Sequence, residues 1–197
     1  MTAVSATIAD IYALGHRNVL AAVKELGEDQ MRWRPPRSNS VAFNLWHIAR
    51  WADHFQSILS TMTPTLRERI GATPELWTRA GYAVKWGFPQ DGLGTVQTGM
   101  GMDEDASAKL ALPAKPELLE YVTGAFELAD RGVRLVRDDD LTRPAELEAD
   151  RVPWLSSPTQ YGTVAIWIAT GIRHEARHLG MIEALKGATG LRGTVTV

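Results

Sequence analysis

Apolar side chains recur every three to four residues in four long segments of this chain, and this spacing constrains the fold more than any other feature. The segments are residues 3–26, 41–62, 116–136 and 161–186. A segment with this period buries one face when it forms an α-helix. The alternation typical of a strand is limited to the tail, residues 193–197. The sequence therefore predicts an all-α protein, a four-helix bundle built as a single domain.

The connection between the second and third predicted helices, residues 63–113, has a different character. It contains six glycines between residues 81 and 101 and is broken by four prolines, Pro64, Pro74, Pro89 and Pro113. We expect a long irregular insert with one or two short helices, and an insert of this length is expected to cover a functional site. Residues 137–161 are expected to be loop, with the acidic run Asp138–Asp140 in solvent.

The amino-acid composition argues against several classes of binding partner. The 21 basic residues are interspersed with 23 acidic ones, so the chain lacks the clustered positive charge that binds phosphate backbones, and no nucleic-acid partner is expected. The start lacks a leader pattern and no apolar run approaches the roughly 20 residues that cross a bilayer, so we expect a cytoplasmic protein without membrane contact. The chain has no cysteine, which excludes disulfides, cysteine-ligated metals and a thiol nucleophile of its own.

Two histidines in the last predicted helix, His174 and His178, are four residues apart. At about 100° per residue their rings lie on one face, one turn apart, which is a separation that one transition-metal ion can bridge. Metal sites in bundles take ligands from facing helices, so a third ligand is expected elsewhere. His47 lies centrally in the aromatic second helix, and His54 lies about two turns, or roughly 10 Å, further along. One ion therefore cannot bind both His47 and His54.

Two stretches resemble a known family. The segments SVAFNLWHIARWAD (residues 40–53) and HEARHLGMI (residues 174–182) are similar to those of the DinB-like superfamily, the metal-binding four-helix proteins of the DinB/YfiT type. The resemblance covers the helix order over most of the chain, although the long insert departs from the shortest members. In that family one histidine of the second helix joins the H-x-x-x-H pair of the last. The resemblance thus implies the metal ligands His47, His174 and His178.

Three histidine ligands leave at least one coordination position open, which is typical of catalytic sites. A water or thiol in that position loses its proton near neutral pH. The resemblance implies zinc, nickel or iron, and for characterised members it implies transfer of a low-molecular-weight thiol to small electrophiles, thiol-assisted isomerisation, or a part in iron-dependent thiol oxygenation. The leading hypothesis is a metal-dependent transferase that uses such a thiol on a small-molecule substrate. The substrate, the thiol and the metal are left open.

Other functions compete with this hypothesis. The run from His174 to His178 also matches the H-E-x-x-H motif of zincin proteases, with Glu175 as general base. A zincin takes its third ligand from a residue downstream of this motif. Downstream of His178 this chain has no histidine and only one carboxylate, Glu183, and its sequence predicts no sheet that could form a peptide cleft. The remaining alternatives are a non-enzymatic metal-binding or stress-response bundle, a metal-assisted hydrolase, and a bundle whose histidines only pack and bind no metal.

Further residues are predicted to surround the metal. Glu175 is the candidate catalytic residue, because it follows His174 on the same helix and would move a proton. Asn44 and Arg50 lie one turn from His47 and are candidates for contact with substrate, and Trp51 is expected to form a wall of the pocket.

Two histidines stand outside the predicted ligand set. His16 is expected to pack, partly buried, in the first helix, and His54 is expected to be hydrogen-bonded or at the surface. We also expect a homodimer, since bundles of this size often pair through an apolar helix face.

Overall fold

The computed structural model describes residues 3–89, 91–156 and 162–194, in which four long helices form a bundle. They are α1 (Val4–Val23), α3 (Val41–Leu59), α8 (Lys115–Arg134) and α10 (Val164–Ala188). Helices α1 and α3 both pack against α8 and α10, so α1 and α3 are diagonal across the bundle. Both ends of each long helix lie within three residues of the predicted positions. The predicted all-α four-helix bundle is confirmed, and no strand occurs in these described ranges.

The connections contain more helix than predicted. Among the described residues, 63–113 hold four short helices rather than one or two, and 137–156 hold two helical turns where only loop was predicted. Polar caps begin several of these helices; Thr63, for example, accepts a hydrogen bond from the Leu66 amide at 3.1 Å. The short helices are α2 (Glu28–Arg32), α4 (Pro64–Ile70), α5 (Leu76–Arg79), α6 (Tyr82–Lys85), α7 (Glu104–Ala108), α9 (Asp138–Leu141) and a 3-10 turn at Ala149–Arg151.

The acidic run after α8 does not simply lie in solvent. The Asp138 carboxylate stays at the surface but accepts hydrogen bonds from the amides of Val4 and Ser5 at 3.2 and 2.7 Å, which caps the start of α1. Asp140 is fully buried and accepts a hydrogen bond from Arg69 at 2.5 Å. The prediction of a solvated run therefore agrees with the exposed Asp138 and Asp139 and is wrong for Asp140, because Arg69 binds that carboxylate in the interior.

The insert packs on the bundle through aromatic side chains. Trp77 of α5 is buried, and its ring centroid lies 6.0 Å from Trp46 of α3 and 5.5 Å from Tyr121 of α8. Such edge contacts add to the free energy gained from burial of the rings. The insert is thereby fixed over the middle of α3, where His47 lies.

Two further predictions concern a strand at the end of the chain and the absence of a membrane-spanning helix. The predicted strand at residues 193–197 falls mostly on residues 195–197, which lie outside the described residues. Among the helices that the structure describes, none combines the length and the apolar character needed to cross a membrane.

Candidate metal centre

Three histidines from two helices converge at one point. One ring nitrogen from each of His47, His174 and His178 lies within 4.8 Å of the others, and the Nε2 atoms of His47 and His174 are 3.1 Å apart. Two imidazole nitrogens on one tetrahedral zinc ion, each about 2.0–2.1 Å from it, are separated by roughly 3.4 Å. The cluster therefore has the dimensions of a site for a single ion.

Hydrogen bonds hold two of these rings by their Nδ1 atoms. Nδ1 of His47 lies 2.5 Å from the carbonyl oxygen of Thr98, and Nδ1 of His178 lies 2.8 Å from Oδ1 of Asn44. The Asn44 amide nitrogen donates to the Ser40 carbonyl at 2.9 Å, which fixes the orientation of the amide. Because both partners are oxygen acceptors, each Nδ1 carries the proton and each Nε2 keeps a free lone pair. Metal-binding histidines are typically oriented in this way.

Asn44 was predicted to contact substrate. The structure instead places its side chain against His178, where it orients a candidate ligand. The third histidine, His174, differs from the other two, since its Nδ1 is buried and has no partner among the described residues.

Burial keeps all three rings neutral near pH 7. Loss of solvent lowers the pKa of His47 to about 4, although the hydrogen bond to Thr98 acts in the opposite direction. Burial, together with the neighbouring imidazoles, lowers the pKa of His174 to about 3 and that of His178 to about 4. A neutral imidazole offers the lone pair that a cation binds, so the donor set fits a divalent transition metal without any prior loss of protons.

Arg50 holds the loop that carries Thr98. Its guanidinium group donates to the carbonyl oxygens of Gln97 and Val96 at 2.9 and 3.3 Å. These two loop residues have φ angles of 54° and 46°, in the left-handed region that residues other than glycine rarely adopt. Arg50 was predicted to contact substrate, but its side chain is completely buried, so no part of it is exposed to a bound molecule. Its contacts instead stabilise the turn immediately before the carbonyl that binds His47.

Acidic groups neutralise the buried Arg50. Glu75 lies 2.7 Å from Arg50 and 2.8 Å from Nδ1 of His54, and Asp53 lies 3.2 Å from Arg50. Burial alone would raise the pKa of Glu75, but the hydrogen bond to His54 and the charge of Arg50 outweigh it and lower the pKa to about 2. The other His54 nitrogen lies 2.9 Å from the Arg151 carbonyl. The prediction that His54 is hydrogen-bonded agrees with these contacts.

A glycine of the insert allows the loop to approach the cluster closely. Gly99 has a φ angle of 85°, and a Cβ atom placed there would lie 2.8 Å from the Trp46 ring and 3.2 Å from Nδ1 of His47. Any side chain at this position would push against the ring that must stay oriented toward Thr98. Neither Thr98 nor Gly99 was singled out from the sequence, because the insert has no periodic pattern to mark them.

Glu175 points away from the cluster toward α1. Its Oε2 atom lies 3.2 Å from Nε2 of His16, whose Nδ1 lies 2.7 Å from Asp130. Burial would lower the pKa of His16, but the negative charge of Glu175 and the hydrogen bond to Asp130 outweigh it and raise the pKa to about 9. His16, predicted to be partly buried, is fully buried and forms ion pairs with both carboxylates. The Glu175 carboxylate therefore balances a buried cation, which a zincin base does not do.

A pocket of about 310 Å³ reaches the cluster at His174. Trp51 lines it, as predicted, with its ring centroid 5.4 Å from that of His174. Met100 of the insert also lines the pocket, so the insert covers part of it. The remaining walls are mainly apolar and aromatic and are formed by α3, α10 and the segment after the 3-10 turn.

Comparison with known proteins settles the family. The sequence pattern of the DinB superfamily matches residues 12–182, a range that includes all three histidines. The chain belongs to the DinB superfamily. A crystal structure described as a conserved protein of locus from Enterococcus faecalis is similar to this DinB chain, with a TM-score of 0.71 over 96% of this chain and 99% of that one. At 15% identity, this similarity shows that the two chains share a fold. No curated protein matches the chain.

Proposed function

We propose that this DinB protein holds one divalent transition-metal ion through His47, His174 and His178 and activates a low-molecular-weight thiol for transfer to a small electrophile. The observation that carries the proposal is the convergence of three neutral imidazoles beside a pocket that is large enough for a small molecule. Zinc, nickel and iron all suit imidazole ligands.

The metal would supply what the chain itself lacks. A divalent ion held by three imidazoles lowers the pKa of a thiol or water in its remaining position and so provides a nucleophile near neutral pH. The donor set contains no carboxylate, so the ligands leave the full positive charge of the ion to act on that nucleophile. Because the chain has no cysteine, the thiol must come from solution.

The protein contributes orientation and a dry environment. Thr98 and Asn44 hold the rings of His47 and His178 so that their Nε2 lone pairs point to one place. Trp51 and Met100 line the pocket beside His174 with apolar surface, which strengthens electrostatic interactions at the site. A purely structural metal site would be sealed by core side chains, and the pocket at His174 supports a catalytic site instead.

The hydrolase alternative has less support from the geometry. Hydrolysis of the zincin type uses a carboxylate base beside the metal-bound water, and the candidate on the ligand helix is Glu175. That carboxylate already forms an ion pair with His16 at 3.2 Å. Transfer of an incoming thiol needs no such base, since the proton of a thiol is lost more readily than that of water.

The test of the proposal follows the binding of thiol to the metal site directly. Protein loaded with cobalt(II) is titrated with glutathione, cysteine or their S-methyl derivatives while near-ultraviolet absorption is recorded. We expect a new sulfur-to-cobalt absorption band with the free thiols only. The band should be absent in His178→Ala and present in His54→Gln, which keeps the cluster. Unchanged spectra at saturating concentrations of both thiols would contradict the proposal.

A further inference from the structure

We infer that the pocket beside His174 takes a flat, apolar molecule that carries an anionic group, with its ring among the tryptophans and its anion at Arg173. The inference names a substrate class and rests on the proposed function only for the reaction, because binding in the pocket can be measured separately.

The walls of the pocket favour a flat, unsaturated ligand. Three indole rings from different parts of the chain meet there, those of Trp51, Trp154 and Trp167. The centroids of Trp51 and Trp154 are 5.1 Å apart and their planes are inclined at 77°, so one ring presents its edge to the face of the other. Aromatic groups gain most from such offset or edge-to-face contacts. The remaining apolar lining comes from Phe55, Ile58, Met100, Leu155 and Ile166.

The size of the pocket excludes polymers and large cofactors. Small-molecule sites have volumes of about 300–1,000 Å³, and the volume of about 310 Å³ here is at the lower end of that range. One or two fused rings with a short substituent would fill it.

The charge at the pocket comes from Arg173. This side chain is exposed, lines the pocket and forms no ion pair with any residue that the structure describes. Of the other polar side chains in the lining, His54 uses both ring nitrogens within the protein, and the Glu175 carboxylate contacts His16. The planar guanidinium group binds a carboxylate through two parallel hydrogen bonds. An anionic ligand therefore meets a positive charge that no described carboxylate neutralises.

Arg177 offers a matched control. It lies one turn further along α10, is exposed like Arg173 and is not part of the pocket lining. A general attraction of anions to this helix would depend on both arginines, whereas recognition within the pocket depends on Arg173 alone.

The test compares 2-naphthoate with its neutral isostere 2-naphthamide by isothermal titration calorimetry, on the purified protein before and after metal removal. We expect naphthoate to bind at least about fivefold more tightly, the factor that an exposed charge pair of about 1 kcal/mol provides. Arg173→Gln should reduce naphthoate affinity to that of the amide and leave the amide affinity unchanged. Arg177→Gln should keep the preference for naphthoate.

Different failures have different meanings. Equal affinity of the two probes, failure of both to bind, or an equal effect of the two arginine variants would overturn the inference. A preference for naphthoate that survives in Arg173→Gln and disappears on metal removal would place the anion on the metal, which overturns the inference and leaves the proposed function standing. A preference that depends on Arg173 in protein that binds no metal would support the inference and refute the proposed function.

Discussion

His47 and His174 are 127 residues apart in sequence, yet their Nε2 atoms lie 3.1 Å apart. Because Nδ1 of His47 donates to Thr98, Nε2 of His47 is a bare lone pair. His174 meets that lone pair either through a proton on its own Nε2 or through a cation that both nitrogens bind. A bound cation would take the place of that shared proton, and the neutral His174 ring would then carry its proton on Nδ1, so no net proton would be lost.

Replacement of Asn44 should weaken metal binding. Asn44→Leu removes the acceptor of His178 Nδ1, and loss of such a partner typically costs 10–100-fold in metal affinity, so we expect a loss of about that size. Asn44→Asp keeps an oxygen acceptor and should retain most of the affinity. Competition with a chromophoric zinc chelator measures both variants. Wild-type affinity in Asn44→Leu would show that this hydrogen bond does not orient the ligand.

Gly99→Ala should destabilise the protein more than Gly101→Ala. Both glycines have a φ angle of 85°, but a Cβ at Gly101 has no neighbour within 4 Å among the described atoms, whereas one at Gly99 reaches Trp46 at 2.8 Å. We expect a loss of about 1–2 kcal/mol from backbone strain in both variants and a further 1–3 kcal/mol or so from overpacking at Gly99. Urea unfolding measures the difference. Equal losses would mean that the loop moves aside without cost.

Arg50→Lys should destabilise the loop that orients His47. Lysine keeps the charge but cannot bind the Gln97 and Val96 carbonyls and Glu75 together. Hydrogen bonds to a charged group contribute about 1.5–3 kcal/mol each, so we expect a loss of at least 1.5 kcal/mol or so, with weaker zinc binding. Arg79→Lys, which changes an arginine of α5, serves as the control. If Arg50→Lys destabilised the protein but left its zinc affinity unchanged, the loop would not contribute to metal binding.

His16 should make stability depend on pH above neutrality. Its pKa is raised from 6.5 to about 9 in the folded protein, so the folded state holds the proton more tightly than the unfolded state. The resulting stability is fully present below pH 6.5 and is lost as pH rises through 9; its size is of the order of 3 kcal/mol. Urea unfolding from pH 6 to 9.5 should show this decline. The same slope in His16→Gln would assign the decline to other groups.

The parts of the fold and site that local patterns encode could be predicted. The helical period and the four-residue spacing of His174 and His178 are properties of single helices, and the resemblance added His47. Contacts of the insert could not be predicted in the same way, because Thr98 reaches His47 through a turn of the insert that Arg50, on the same helix as His47, stabilises. Sequence spacing cannot show that pairing.

The direction in which the Glu175 side chain points could not be predicted from local sequence patterns either. It lies about 60° beyond His178 around α10, which is compatible with either the metal or the neighbouring helix. The choice depends on His16 of α1, whose buried charge attracts the carboxylate. Asp140 shows the same effect, since a distant arginine, Arg69, draws an apparently solvated residue into the interior.

Metal content shows whether His47, His174 and His178 form a metal site. Protein purified without an affinity tag is incubated with zinc, nickel or iron(II), desalted and measured by elemental mass spectrometry, together with alanine variants of the three ligands and the control His54→Gln. We expect one ion per chain in the wild type and in His54→Gln, and loss of the ion in His47→Ala, His174→Ala and His178→Ala. Absence of metal from the wild type after all three incubations, or retention of the ion in every ligand variant, would show that the three histidines do not form a metal site.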